Sequence, residues 1–289
     1  MNFDIEIKEG KNYMCDKYLE HSVFVLLNDI AEFYNFLSFS TYRFPKLIKA
    51  SFNIDSNIQS SIGGTIESIY CLLKIGRIND AYSLVRKYND AIIVDIYKFL
   101  LMNKDQQSLE KSLTDGSSYD PFDTKVNDWA SKIVDIKANI HKIHNDSRLS
   151  EINHFFDFSE DSSYIKNRQL CNDNSHYNSL RFFVLNDNDL YLGSPNIRLK
   201  YVDKLKTIIM NLLVIHFSYI CVLHPEYLTS TDYIDNLDCG SEPAEGSQYE
   251  VAPFVQNIFD KYVSPNNNKL ADYLSSRNYL ELIYSPPKL

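Results

Sequence analysis

DSNIQSSIGGTIESIYCLLKIGRINDAYSLVRKYNDAIIVDIYKFLLM, from Asp55 to Met102, is the stretch that decides the fold. Asp55 or Ser56 can cap a helix that runs to Ile75, where Gly76 supplies a C-terminal stop. The next helix opens after Gly76 and extends to about Met102. Its apolar stripe is Ala81, Leu84, Val85, Ile92, Ile93, Ile96 and Leu100, spaced for one helical face. So short a connection makes the two helices antiparallel neighbours.

Upstream, Leu19, Val23, Leu26, Leu27, Ile30, Phe33, Tyr34 and Leu37 recur at steps of three and four, which predicts an amphipathic helix over 17–37. Downstream, the polar residues 103–123 contain Gly116 and Pro121 and read as a loop. A fourth helix is expected from Thr124 to Ile143. LRFFVLNDNDLYLG, Leu180 to Gly193, has two apolar runs around Asn186-Asp187-Asn188-Asp189 and predicts a two-stranded β-hairpin. A long apolar helix follows from Arg198 to His224. No internal repeat is present. These elements describe a mainly α protein: a helical bundle with one inserted two-stranded β-hairpin. It forms a single domain over 1–289, with N-terminal helices in 17–143, the hairpin in 180–193 and C-terminal helices in 198–289.

Composition agrees with long helices, because Gly (8) and Pro (9) are scarce in 289 residues. The net charge of −9 argues against a surface given over to nucleic acid and leaves room only for a local basic groove. Cys15, Cys71, Cys171, Cys221 and Cys239 show no C-x-x-C and no compact spacing, so free thiols in a reducing compartment are expected. The N-terminus lacks the apolar run of a secretory signal. IIMNLLVIHFSYICVL, Ile208 to Leu223, is sixteen residues long and carries Asn211, His216 and Ser218. A spanning helix needs roughly 20 apolar residues, so this segment reads as a buried core helix and not as a membrane anchor. A cytoplasmic protein is the expectation.

Two clusters carry candidate chemistry. CNDNSHYN, Cys171 to Asn178, places His176 four residues after Asn172 and three after Asp173, on one face if helical. His176 can exchange a proton near neutral pH and Asp173 can orient it, while the bland alternative is a polar helix end. In LVRKYNDAI, Leu84 to Ile92, Arg86 and Asp90 form an i,i+4 pair beside apolar neighbours. Arg86 and Lys87 are therefore candidates to hold a phosphate. His141 and His144 lack a third ligand at fitting spacing, so no metal site is predicted.

GRINDAYSLVRKYND (Gly76–Asp90), CNDNSHYN and the later GSQYEVAPFVQ (Gly246–Gln256) together resemble the HEPN-type helical proteins of bacterial phage-defence, abortive-infection and toxin systems. The resemblance implies a metal-independent RNA endonuclease that acts as a homodimer without a cofactor. A His would serve as acid or base, and an Arg upstream of it would stabilise the phosphorane. On this chain the implied catalytic residues are His176, Asp173 and Asn172, with Arg86, Lys87, Arg168 and Asn178 holding RNA phosphate. Arg168 and His176 have seven residues between them, whereas Arg148 and His154 have the family's spacing, with five. The alternative is a non-catalytic helical sensor or protein-binding module, with a protein partner from a defence operon.

Overall fold

The computed structural model describes residues 16–43, 53–116, 124–131, 135–176, 179–186, 195–277 and 279–285. Five helices of thirteen or more residues carry the architecture: α1 (Val23–Tyr42), α2 (Ile54–Lys74), α3 (Ile78–Asp115), α4 (Ser163–Ser175) and α5 (Pro195–Leu223). Their apolar faces meet in one contiguous core that takes in residues from α1 through to Leu282.

The deciding stretch forms the two expected helices, but α2 starts at Ile54 with Asn53 at its N-cap, and Asp55, expected as a cap, lies inside the helix and pairs with Lys98. Gly76 adopts φ +77°, a left-handed conformation that costs a glycine little, and its N–H donates to the Leu73 carbonyl to close α2. Across this turn Asp55 meets Lys98 and Gln59 meets Asp95, so α2 and α3 run antiparallel. Helix α1 is also antiparallel to α2, since Phe24 packs on Tyr70 near one end and Ser38 bonds Ser56 near the other. A Cβ built on Gly63 would lie 3.2 Å from Asn35 Oδ1 and 3.4 Å from Tyr34 Cβ. Glycine at this position lets the two helices approach closely. Tyr82 reaches Tyr201 and Asp95 reaches His216, which makes α5 run parallel to α3.

Helix α5 is long and apolar enough to cross a membrane by length and composition, yet 72% of its apolar window is buried inside the protein. Ile209, Leu212 and Leu213 are buried, and Val222 is half-buried against the core. It is the central helix of the bundle, as its embedded polar residues predict.

Three expectations are corrected. The β-hairpin over 180–193 is not formed in its described part: Leu180–Phe183 is a helical turn, and among the described residues there are two isolated bridges and no strand. The turn residue Asn186 has a different task. Its Oδ1 accepts the N–H groups of Asn79 (2.9 Å) and Asp80 (3.4 Å), which satisfies two donors at the start of α3. The rest of the hairpin, 187–194, lies outside the described residues. The loop expected over 103–123 begins only after α3 ends at Asp115, with Gly116 at φ +72°. The single helix expected over 124–143 is two short ones, Lys125–Ala130 and Ile140–His144, each started by its own cap, Thr124 and Asn139.

At the centre of the bundle lies a polar network. Lys98, wholly buried on α3, pairs with Asp55 and with Asp95 (2.5 Å). Asp95 Oδ2 accepts from Gln59 Nε2 (2.7 Å) and from His216 Nε2 (3.0 Å), and His216 Nδ1 bonds the Tyr34 hydroxyl (2.8 Å). Tyr34 continues to Tyr88 (2.9 Å), and Tyr227 donates to Asp55 Oδ2 (2.7 Å). Burial opposes ionisation of Asp95, but Lys98 and His216 overcome it and hold the carboxyl well below the usual range. For Lys98 burial works against the charge, while Asp95 and Asp55 outweigh it and raise the ammonium pKa.

Lys98→Met should therefore cost about 3–5 kcal/mol in urea denaturation, because it leaves buried carboxylates without their counter-charge. In the unaltered protein, Asp95's contribution is complete above its unfolded pKa of about 4 and is lost as pH falls through the lower folded value. Lys98's contribution is complete below about pH 10.4 and is lost as pH rises through its higher folded value. Stability that falls steadily from pH 7 to pH 5 would contradict this account.

Candidate functional site

Helix α3 turns Val85, Arg86 and Asn89 toward α4, at the i, i+1, i+4 spacing of one face. Helix α4 answers with Tyr164, Asn167, Arg168 and Cys171, and α5 supplies Ile208, Leu212 and Ile215 together with the carboxamide of Asn211. The segment Phe155–Phe158 closes one side. Between them is a cavity of about 230 Å³. Ser162 fixes the start of α4 by accepting the Ile165 N–H with its hydroxyl (3.3 Å), which sets the phase of the face that lines the cavity.

Arg86 joins the two clusters singled out in the sequence. Its Nε donates to Asn172 Oδ1 (2.6 Å) and its Nη1 pairs with Asp90. The Nη2 edge has no protein acceptor among the described residues. Arg168 lines the same cavity from α4; it is exposed and makes no ion pair among the described residues. Two of the predicted phosphate-binding residues thus converge from separate helices. Lys87 does not join them: it is exposed on α3 and absent from the cavity wall. Asn178 lies outside the described residues.

The predicted catalytic triplet is not assembled. Asp173 Oδ1 accepts from Gln169 Nε2 (2.7 Å), Asn172 is taken by Arg86, and His176 sits exposed at the C-cap of α4. The His176 ring makes no hydrogen bond among the described residues. The Arg148 and His154 pair is also occupied separately. Arg148 binds Asp146 (2.9 and 2.7 Å) and the Leu100 carbonyl (3.0 Å), while His154 bonds the Ser150 carbonyl. Among the described residues, no group of three His, Cys, Asp or Glu could hold a metal ion.

The structure adds residues that the sequence reading missed. Asn89 is 4% exposed; its Oδ1 accepts from the Tyr164 hydroxyl (2.8 Å), and its buried Nδ2 has no partner among the described residues. Asn167 is 7% exposed, and its amide makes no hydrogen bond among the described residues. The Cys171 thiol is pushed up to about 12 by burial, against the opposing charge of Arg86, so it lines the wall as a neutral thiol and not as a nucleophile. Tyr164 and Arg168 at i,i+4 were a signal for one face of α4. Nothing in the sequence showed that this face would meet Arg86.

Comparison with protein families, with curated proteins and with solved structures found no match.

Removal of the half-buried Arg86 bond to Asn172 should cost about 1–2 kcal/mol, since a charged donor ties α3 to α4 there. His176→Ala should leave the melting temperature unchanged. Thermal denaturation of both variants checks this, and a large loss from His176→Ala would show a structural role that the geometry does not contain.

Proposed function

We propose that this chain is a HEPN-like helical module of a bacterial defence or toxin system, and that it binds a phosphate-bearing ligand in the Arg86–Arg168 cavity without cleaving it. The observation that carries the reading is the convergence of two arginines on one cavity to which neither His176 nor Asp173 contributes; the Asp157 carboxylate that also lines it accepts the Ser159 N–H. A guanidinium presents donors in a planar fork that matches phosphate oxygens, and both arginines keep part of that fork available. Metal-independent cleavage of RNA needs an acid or base within hydrogen-bond reach of the reacting group. His176 lies exposed at the far end of α4 and Asp173 is engaged by Gln169, which favours the sensor reading over a dimeric endonuclease. The link to defence and toxin systems rests on the resemblance of the segments Gly76–Asp90 and Cys171–Asn178.

Calorimetry with ribose 5-phosphate should detect binding that weakens with added salt. Arg168→Ala, which removes charge-assisted hydrogen bonds, should lower the affinity by about tenfold or more. Single-stranded RNA incubated with the protein should remain intact. RNA cleavage that disappears in His176→Ala would overturn the reading and support the dimeric endonuclease instead.

A further inference from the structure

The solvent side of α1 carries a pattern of its own. Asp29, Glu32, Phe36, Phe39 and Arg43 recur at steps of three and four, so they form one stripe along the helix. Across from it stand Thr231, Asp232 and the short helix Pro253–Ile258, which contributes Phe254 and Asn257. The groove between them measures about 620 Å³ and shares no residue with the Arg86–Arg168 cavity. Its floor is aromatic. Phe254 packs on Phe33 (ring centroids 5.8 Å apart) and stacks on Phe36 (5.5 Å), which holds the platform in one arrangement. Phe36 is 46% exposed and Phe39 is 74% exposed. Large apolar side chains left in solvent on one face, rimmed by polar residues, mark a surface that another molecule covers.

Charge decides which molecule. Asp29 is already neutralised: Lys261 pairs with its Oδ2 (3.0 Å), and the Tyr262 hydroxyl donates to the same oxygen (2.6 Å). Arg43 is paired with Asp235 (2.9 Å). Glu32 and Asp232, both exposed, make no ion pair among the described residues. The uncompensated charges of the groove among those residues are thus negative, in a chain whose net charge is −9. An acidic or neutral partner would cover the two carboxylates without pairing them, which is costly. A second copy of the chain, apposed two-fold through the same groove, would set like charges against each other. A cationic partner gains where those lose. The half-buried Asn257 has a carboxamide with no hydrogen bond among the described residues, and such a group can bond a peptide backbone.

We propose that this groove docks a short amphipathic segment of another protein, with aliphatic or aromatic residues on the Phe36–Phe39–Phe254 platform and a lysine or arginine at Glu32 and at Asp232. The apolar contacts supply the affinity and the two carboxylates select the charge of the segment. The docking surface does not depend on the phosphate-binding reading, because it uses a different part of the bundle.

Fluorescence anisotropy on the full chain tests the proposal with a labelled twelve-residue amphipathic peptide of leucine and lysine and with its leucine and glutamate counterpart. The lysine peptide should bind and the glutamate peptide should not, and added salt should weaken the binding. Phe39→Ala should lower the affinity about tenfold or more with an unchanged melting temperature, since the ring is exposed in the free protein and lies within the covered patch. Leu113→Ala, which removes a comparably exposed apolar side chain on α3 outside the groove, should change nothing. Glu32→Lys combined with Asp232→Lys should reverse the preference toward the glutamate peptide, and it serves if Phe39→Ala does not fold. Affinity that Phe39→Ala leaves intact, or equal binding of the two peptides, would overturn the proposal. A dimer in sedimentation that Phe39→Ala abolishes would assign the groove to a second copy instead. Spermidine bound as tightly as the lysine peptide, with the same dependence on Phe39, would assign it to a small cation and overturn the proposal as well.

Discussion

Lys98 sits at the one place where α1, α2, α3 and α5 all have something to lose. Its ammonium is wholly buried between Asp55 on α2 and Asp95 on α3, and Asp95 in turn holds His216 on α5, which holds Tyr34 on α1. Apolar contacts tolerate sliding, but ion pairs in a low-dielectric interior do not, because a shift of one turn would leave a bare charge in the core. The network therefore fixes the register of four helices with respect to one another. Tyr227, bonded to Asp55, extends the same constraint to the segment that follows α5.

That register places the cavity. Arg86 and Asn89 lie two to three turns from Lys98 on α3, and Ile208 and Leu212 lie one to two turns from His216 on α5. With α3 and α5 locked in parallel, α4 packs on α3 and is held to it by the Arg86 bond to Asn172 and the Tyr164 bond to Asn89. Gln59 in the network and Asn89 beside the cavity each leave one buried amide atom without a partner among the described residues.

Much of the bundle was legible in the sequence because it depends on local signals. Periodicity marked α1, α2, α3 and α5, Gly76 marked the hairpin between α2 and α3, and the polar residues inside Ile208–Leu223 showed that this helix belongs in the core. Local signals also misled. LRFFVLNDND has strand-like apolar runs and turn residues, yet Asn186 is recruited by the unpaired N–H groups of α3, a demand set more than a hundred residues away in sequence. For the site, Arg86 and Arg168 were identifiable from their type and neighbours. Asn89 and Asn167 were not, since a carboxamide becomes informative only when burial leaves it without a partner. Asp55 read only as a helix cap, and Asp95 and Lys98 carried no signal, because the helix that buries them comes from a distant part of the chain. His176 and Asp173 had the right spacing, but Asp173 is engaged by Gln169 and His176 is exposed at the C-cap of α4.

The central claim is that ligand chemistry belongs to the chamber between α3, α4 and the Phe155–Phe158 segment, and not to the His176 end of α4. Amide hydrogen exchange, followed by mass spectrometry with and without saturating ribose 5-phosphate, tests it most directly. The account predicts slower exchange in residues 155–171 and around Arg86 and Asn89, with the peptide that ends at His176 unaffected beyond α4's last turn. Protection centred on His176, or unchanged exchange throughout, would contradict it.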